Sequence, residues 1–269
     1  MTMRSSNIVA FSWMLFILAL QAMLPISSAS LQVGFYAYKC NKTDVELLVR
    51  GVVEKAVRKN PGVGAGLIRM YFHDCFVRPA TPPSAWATST TPSPRAAATA
   101  SSPSNPKSSR TAGPFFSLSQ NEAFFWNKGM TPEEMVTLSG AHSIGRSHCS
   151  SFTDRLYPTQ DPTMNSSFAG ILKGECPQNA AVDGVVPQDI VTPNRLSNQY
   201  YKNVKAHKVL FTTDQNLLTS SDTAAEVEEN AKNPAAWKAK FAAAMVKMGN
   251  LVELTGTQGQ IRKKCSAVN

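Results

Sequence analysis

Thirty-five consecutive residues, Pro79 to Gly113, interrupt an otherwise helix-patterned chain of 269. Twenty-nine of them are Pro, Ala, Ser or Thr, none is Asp or Glu, and Trp86 is their one large apolar side chain. Such a stretch cannot bury enough apolar surface to offset the entropy of ordering it, so it reads as low-complexity and disordered. A structureless connection of that length is also foreign to the interior of a compact domain. The fold must therefore be assembled from two blocks of helical pattern, one on each side.

In the first block, Thr43 to Lys59 predicts a helix. Thr43 or Asp44 caps it, and Val45, Leu48, Val52 and Ala56 recur at three- and four-residue spacing. Asn60-Pro61-Gly62 ends it, and a second helix is expected from about Val63 to Phe76. Helical patterning returns at Phe115. Thr131-Pro132-Glu133-Glu134 has an N-cap threonine, a proline at the first position and a glutamate at the third, and this helix is expected to deliver His142. A long irregular span should follow to about Leu196, then helices over 198–206, 222–232 and 233–251. No alternating strand pattern of any length and no internal repeat is present, so the class is mainly α.

The first thirty residues stand apart. Arg4, an apolar run from Ile8 to Leu24 and small residues at Ser27-Ser28-Ala29-Ser30 have the order of a secretory signal peptide. Ser12 and Gln21 interrupt the run and Pro25 stops it, which argues against a membrane anchor. The remaining residues, 31–269, form one expected domain. Five cysteines in an exported chain imply pairing with at least one left over, and Asn41 and Asn165 lie in glycosylation sequons. The net charge of +9 is scattered, with no basic run interleaved with aromatics, so nucleic acid is not an expected partner. A basic surface outside the cell tolerates acidic cell-wall polymers.

Two histidines carry the chemistry. Arg69 and His73 are four residues apart and share a helix face. A histidine near its neutral form can take a proton from a bound peroxide and return it to the departing oxygen. A permanently charged arginine beside it can stabilise the charge that develops as the O–O bond breaks. Asp74 projects to another face. Taken singly, His73 reads first as a packed or capping histidine, and His142 first as a helix-end histidine favoured by the macrodipole.

Together the motifs resemble a known family. Arg69-Met-Tyr-Phe-His73-Asp-Cys-Phe and Leu138-Ser-Gly-Ala-His142-Ser-Ile-Gly are similar to the distal and proximal haem signatures of plant secretory (class III) peroxidases. The similarity extends to Pro193-Asn-Arg-Leu-Ser-Asn-Gln-Tyr-Tyr201, Thr213-Asp-Gln-Asn-Leu217 and Met245-Val-Lys-Met-Gly-Asn-Leu251, and covers 31–78 and 114–269. The resemblance implies two helical lobes around haem b, two calcium ions, hydrogen peroxide as oxidant, small phenols as donors and a secreted monomer. By position it implies His73 as the distal acid–base residue, Arg69 as the charge stabiliser and Phe72 as an aromatic neighbour of the haem. His142 becomes the axial iron ligand, and Asp214 the carboxylate that accepts its other N–H, raising its basicity. The distal calcium site would begin with Asp74 and the Val77 carbonyl. The proximal one would use Ser143, Asp189, Thr192, the Arg195 carbonyl and Ser197, hard oxygen donors of the kind calcium takes. Ser197 stands where the family has a further aspartate, which should weaken that site. Cys149 and Cys176 keep both members of a family disulfide.

The resemblance stops at Arg78. The family continues with the partner of Cys75, the remaining distal calcium oxygens, the asparagine that orients the distal histidine, and helices whose cysteines match Cys40 and Cys265. Here the chain reads Pro79-Ala-Thr-Pro-Pro-Ser-Ala-Trp86. Shifted by one frame, the degenerate codons of these residues permit Cys-Asp-Ala-Ser-Val-x-Leu, the cysteine falling where the family places it. The stretch is therefore expected to be a frame-shifted or mis-spliced reading with a further segment deleted, and the fold to be incomplete. Cys40, Cys75 and Cys265 would lose their partners, at about 2–5 kcal/mol per bridge against a net stability of about 5–15 kcal/mol. The alternative expectation is a catalytically inactive, truncated peroxidase-like chain with weak or no haem binding.

Overall fold

Caps and breakers set the helix boundaries. The computed structural model describes residues 34–37, 39–41, 43–77 and 113–251, all within one compact unit. The expected signal segment, residues 79–112 and Cys265 lie outside the described residues. Helix α1 (Val45–Lys59) is capped by Asp44 rather than Thr43, its carboxylate accepting the Leu47 N–H at 2.9 Å. Helix α2 (Gly62–Phe72) widens into a π-helical turn, His73–Val77. Helices α3 (Leu118–Trp126) and α4 (Pro132–Ser139) both open with capping boxes, Ser117 with Gln120 and Thr131 with Glu134.

After α4 the structure departs from the expected irregular span. Helix α5 (Ser166–Glu175) lies within it, with the Asn165 side chain accepting the Phe168 N–H. A two-stranded antiparallel ribbon also forms, β1 (Arg146–His148) against β2 (Val185–Pro187), with Ser147 opposite Val186. Three residues per strand are too few to show alternation in sequence. Helices α6 (Gln199–Lys205), α8 (Ser221–Lys232) and α9 (Pro234–Gly249) match the three expected helices, with a single turn, α7 (Thr212–Gln215), between α6 and α8. The class is mainly α.

Two apolar clusters fill this frame. One joins Phe125, Met135, Val136, Tyr200, Tyr201, Val227, Trp237 and Phe241. The other gathers around the Cys149–Cys176 disulfide with Phe152, Leu156, Phe168 and Phe211. The first block of sequence docks on the larger cluster through Phe76, fully buried against the rings of Phe72, Phe124 and Phe125 at 5.3, 5.3 and 4.8 Å. The Tyr71 hydroxyl occupies the place a side chain at Gly249 would need, so a larger residue there must displace the Tyr71 ring. Helix α1, by contrast, buries none of its residues: Leu48 and Val52, half of its apolar stripe, are 59% and 63% exposed. The other half of the stripe, Val45 and Ala56, is partly buried. Cys40 forms no disulfide there, and Cys75 lies against Tyr71.

The second cluster is pinned by a buried cation. Arg155 is 2% exposed. Its Nε donates to Asp161 at 2.8 Å, and its Nη1 donates to the carbonyls of Val209, Leu210 and Phe211 at 2.8, 3.1 and 3.2 Å. Methionine at 155 would fill the volume but leave Asp161 Oδ2 and three carbonyls without their donor. Arg155→Met is expected to cost about 3–5 kcal/mol, read as a lower denaturant midpoint with an unchanged slope.

Candidate active site

Helix α4 leads directly into the turn that carries His142. The helix stops at Ser139, and His142 stands on a separate 3₁₀ turn, Gly140–Ser143. The stop has a physical cause. A helix end leaves carbonyls without intrahelical partners, and here buried side chains supply them. The Tyr201 hydroxyl donates to the carbonyls of Val136 and Thr137 at 3.0 and 2.9 Å, and Trp237 Nε1 donates to Thr137 at 3.3 Å. The turn then passes directly over these rings. A Cβ on Gly140 would stand 2.7 Å from the Tyr201 hydroxyl and 2.8 Å from the Trp237 ring, so only glycine fits.

The turn aims the imidazole at α7. His142 Nδ1 and Asp214 Oδ1 are 2.9 Å apart, and Asp214 is 2% exposed. A carboxylate acceptor fixes the tautomer: Nδ1 carries the proton and Nε2 keeps its lone pair. The same carboxylate oxygen accepts the Tyr200 O–H at 2.7 Å. Tyr200 was not singled out in the sequence; as one of two adjacent tyrosines at the start of a helix it gives no local signal. Burial works against an imidazolium at His142, but the charge and hydrogen bond of Asp214 outweigh it, with Arg69 opposing, and the net shift is upward. Burial first, then the Asp214 charge, push the Tyr200 hydroxyl far above its ordinary range, so it stays protonated.

The ring of His142 is 39% exposed, with Phe211 edge-on at 5.2 Å. Arg69, the last-turn cation of α2, lies near enough for its charge to be felt at His142. His73, half-buried, opens the π-helical turn one residue after Phe72, whose ring is 5.9 Å away. The structure thus brings the arginine of the first block toward the histidine of the second. Of Asp74 and Val77 only the backbone is described.

The remaining oxygen residues form a separate group. Asp189 is fully buried; its Oδ1 accepts from the N–H groups of Val191 and Thr192 and from Asn203 Nδ2, and its Oδ2 from the Thr192 hydroxyl at 2.8 Å. Thr192 Oγ1 lies 3.1 Å from Ser197 Oγ, and the Ser197 N–H donates to Ser143 Oγ at 3.0 Å. The Arg195 N–H donates to the Thr192 carbonyl. Ser143, one residue after His142, therefore ties this group to the imidazole turn. Among the described residues, no three His, Cys, Asp or Glu side chains meet as a metal cluster.

A protein-family model described as peroxidase matches residues 87–233. Peroxidase 5 of Vitis vinifera is 37% identical over 325 aligned positions, covering 97% of both chains. Peroxidase 2 of Zea mays is 39% identical over 332 positions, covering all of this chain and 97% of its own length. Peroxidase 12 of Arabidopsis thaliana is 46% identical over 156 positions, 58% of this chain. The first two alignments are longer than the 269 residues of the chain, so those relatives carry positions that it lacks.

Proposed function

As the chain belongs to the plant class III peroxidases and is a peroxidase, we propose that it reduces hydrogen peroxide at a haem b held by His142 and oxidises small phenolic donors one electron at a time. The observation that carries this reading is the hydrogen bond from His142 to the buried carboxylate of Asp214, with Nε2 left over. With one nitrogen committed and one available, on a partly exposed ring with an aromatic edge beside it, His142 would be suited to hold a haem iron through Nε2. The bound haem would supply the two-electron chemistry with peroxide and the later one-electron oxidations.

The chain's own residues would do the rest. Asp214 holds the imidazole in one tautomer and strengthens it as a donor. His73 takes the proton of the incoming peroxide and hands it to the leaving oxygen. Arg69 stabilises the negative charge on that oxygen. Phe72 lines the same side. Donors would approach at an open edge, and cell-wall polymers would meet the basic surface. Secretion through residues 1–30 and a monomeric state complete the proposal.

Calcium belongs to the same reading. The proximal group, Ser143, Asp189, Thr192, the Arg195 carbonyl and Ser197, is chemically suited to a hard cation. It has one carboxylate, already accepting four donors, so its affinity for calcium should be low. Asp74 and the Val77 carbonyl would start the distal site, whose other family oxygens are missing after Arg78.

The test is reconstitution. Purified protein titrated with haemin should develop a Soret band at one haem per chain and then oxidise guaiacol with peroxide. No Soret band would leave the inactive, truncated alternative standing. Within this reading, Asp214→Asn keeps an acceptor for the imidazole but removes its charge. Turnover should fall about 10- to 100-fold with haem retained, and the ferrous iron–histidine stretch should move to lower frequency.

A further inference from the structure

A row of aromatic rings leads from His142 into the core. The Tyr200 ring lies 6.2 Å from the imidazole, Tyr201 lies 5.0 Å from Tyr200, and Trp237 lies 5.9 Å from Tyr201. All three are sealed from solvent, so no external reductant touches them. Their polar groups differ in one respect. Tyr201 and Trp237 donate to backbone carbonyls, which do not take a proton. The Tyr200 O–H donates to a carboxylate, which does. A buried phenol that loses an electron must also lose its proton, because the low-dielectric interior does not tolerate the unpaired cation. Of the three rings, only Tyr200 has somewhere to send it.

We propose that Tyr200 is an internal one-electron donor to the peroxide-oxidised haem site, acting when no external donor arrives. The proposal rests on the peroxidase reading above. Reduction of hydrogen peroxide leaves the site two electrons short. Tyr200 returns one of them. Its O–H bond breaks, the proton moves to Asp214, the electron passes to the oxidised site, and a neutral phenoxyl radical remains on the ring. The second electron is still owed by an external donor. Tyr201 and Trp237 hold their protons, so the radical stays on Tyr200.

The experiment is freeze-quench electron paramagnetic resonance on haem-loaded protein given one equivalent of peroxide and no donor. Wild type should show an organic radical whose spectrum narrows when tyrosine is ring-deuterated. Normalised to peroxide consumed, Tyr200→Phe should lose the signal and Tyr201→Phe should keep it. Peptide mapping of wild type after repeated peroxide additions supplies an independent readout should Tyr200→Phe not fold, with oxidative mass gain expected on Tyr200. A haem-loaded wild type that consumes peroxide without a tyrosine signal overturns the proposal. So does a signal that survives in Tyr200→Phe, or mass gain confined to other tyrosines. Absence of a Soret band overturns the peroxidase reading itself, and this proposal with it.

Discussion

His142→Ala is expected to abolish the Soret band of the reconstituted protein and to reduce peroxide turnover to that of free haem in the same buffer. Nδ1 is committed to Asp214, so the ring offers one remaining lone pair, and alanine removes it. The loss should be local. Asp214 keeps the Tyr200 hydroxyl as a partner, and a buried carboxylate deprived of one of two donors costs about 1–3 kcal/mol rather than the fold. Alanine also leaves a cavity beside Phe211 into which free imidazole fits. Added imidazole should therefore restore part of the Soret absorbance and part of the turnover. A variant that keeps its Soret band without imidazole would show that iron is held elsewhere.

His73→Leu should do the opposite to the spectrum and nearly as much harm to the rate. Haem should load as in wild type, because the axial side is untouched. The reaction with peroxide should slow by about 10²- to 10⁴-fold, the usual share of a general acid–base group. Arg69, one turn earlier, would still stabilise charge on the departing oxygen but cannot accept a proton. Stopped-flow spectra at several pH values distinguish this role from packing. The wild-type rate should depend on pH through the histidine, and the variant rate should not. An unchanged rate constant would remove His73 from the mechanism.

What could be read ahead of the structure follows the range of the interactions involved. The boxes of Thr131 with Glu134 and the breaker Asn60-Pro61-Gly62 act within four residues, and those boundaries are where the sequence put them. Helix α5 was hidden because Asn165-Ser166-Ser167 reads as a sequon and Gly170 and Gly174 dilute its pattern, whereas in the fold Asn165 is the cap. His142 and Asp214 are 72 positions apart, and only the family resemblance joined them before their hydrogen bond was seen. Tyr200 and Gly140 stand inside the family-like motifs, but the resemblance attached no role to either. One matters for a single oxygen on another helix, the other for two rings pressed against it. The stripe on α1 marked the helix but not its burial: periodicity says which face is apolar, not how far other described residues cover it.

The fit of Gly140 has a thermal consequence. The turn that points the imidazole rests on Tyr201 and Trp237, both at the centre of the larger apolar cluster. The imidazole's aim and the packing beneath it share the same two rings. As heat loosens those two rings, the imidazole loses its aim in the same event, and a haem it holds would be released with it. Absorbance at the Soret maximum and far-ultraviolet circular dichroism should then trace one superimposable melting curve, with no intermediate that keeps its helices and has let its iron go.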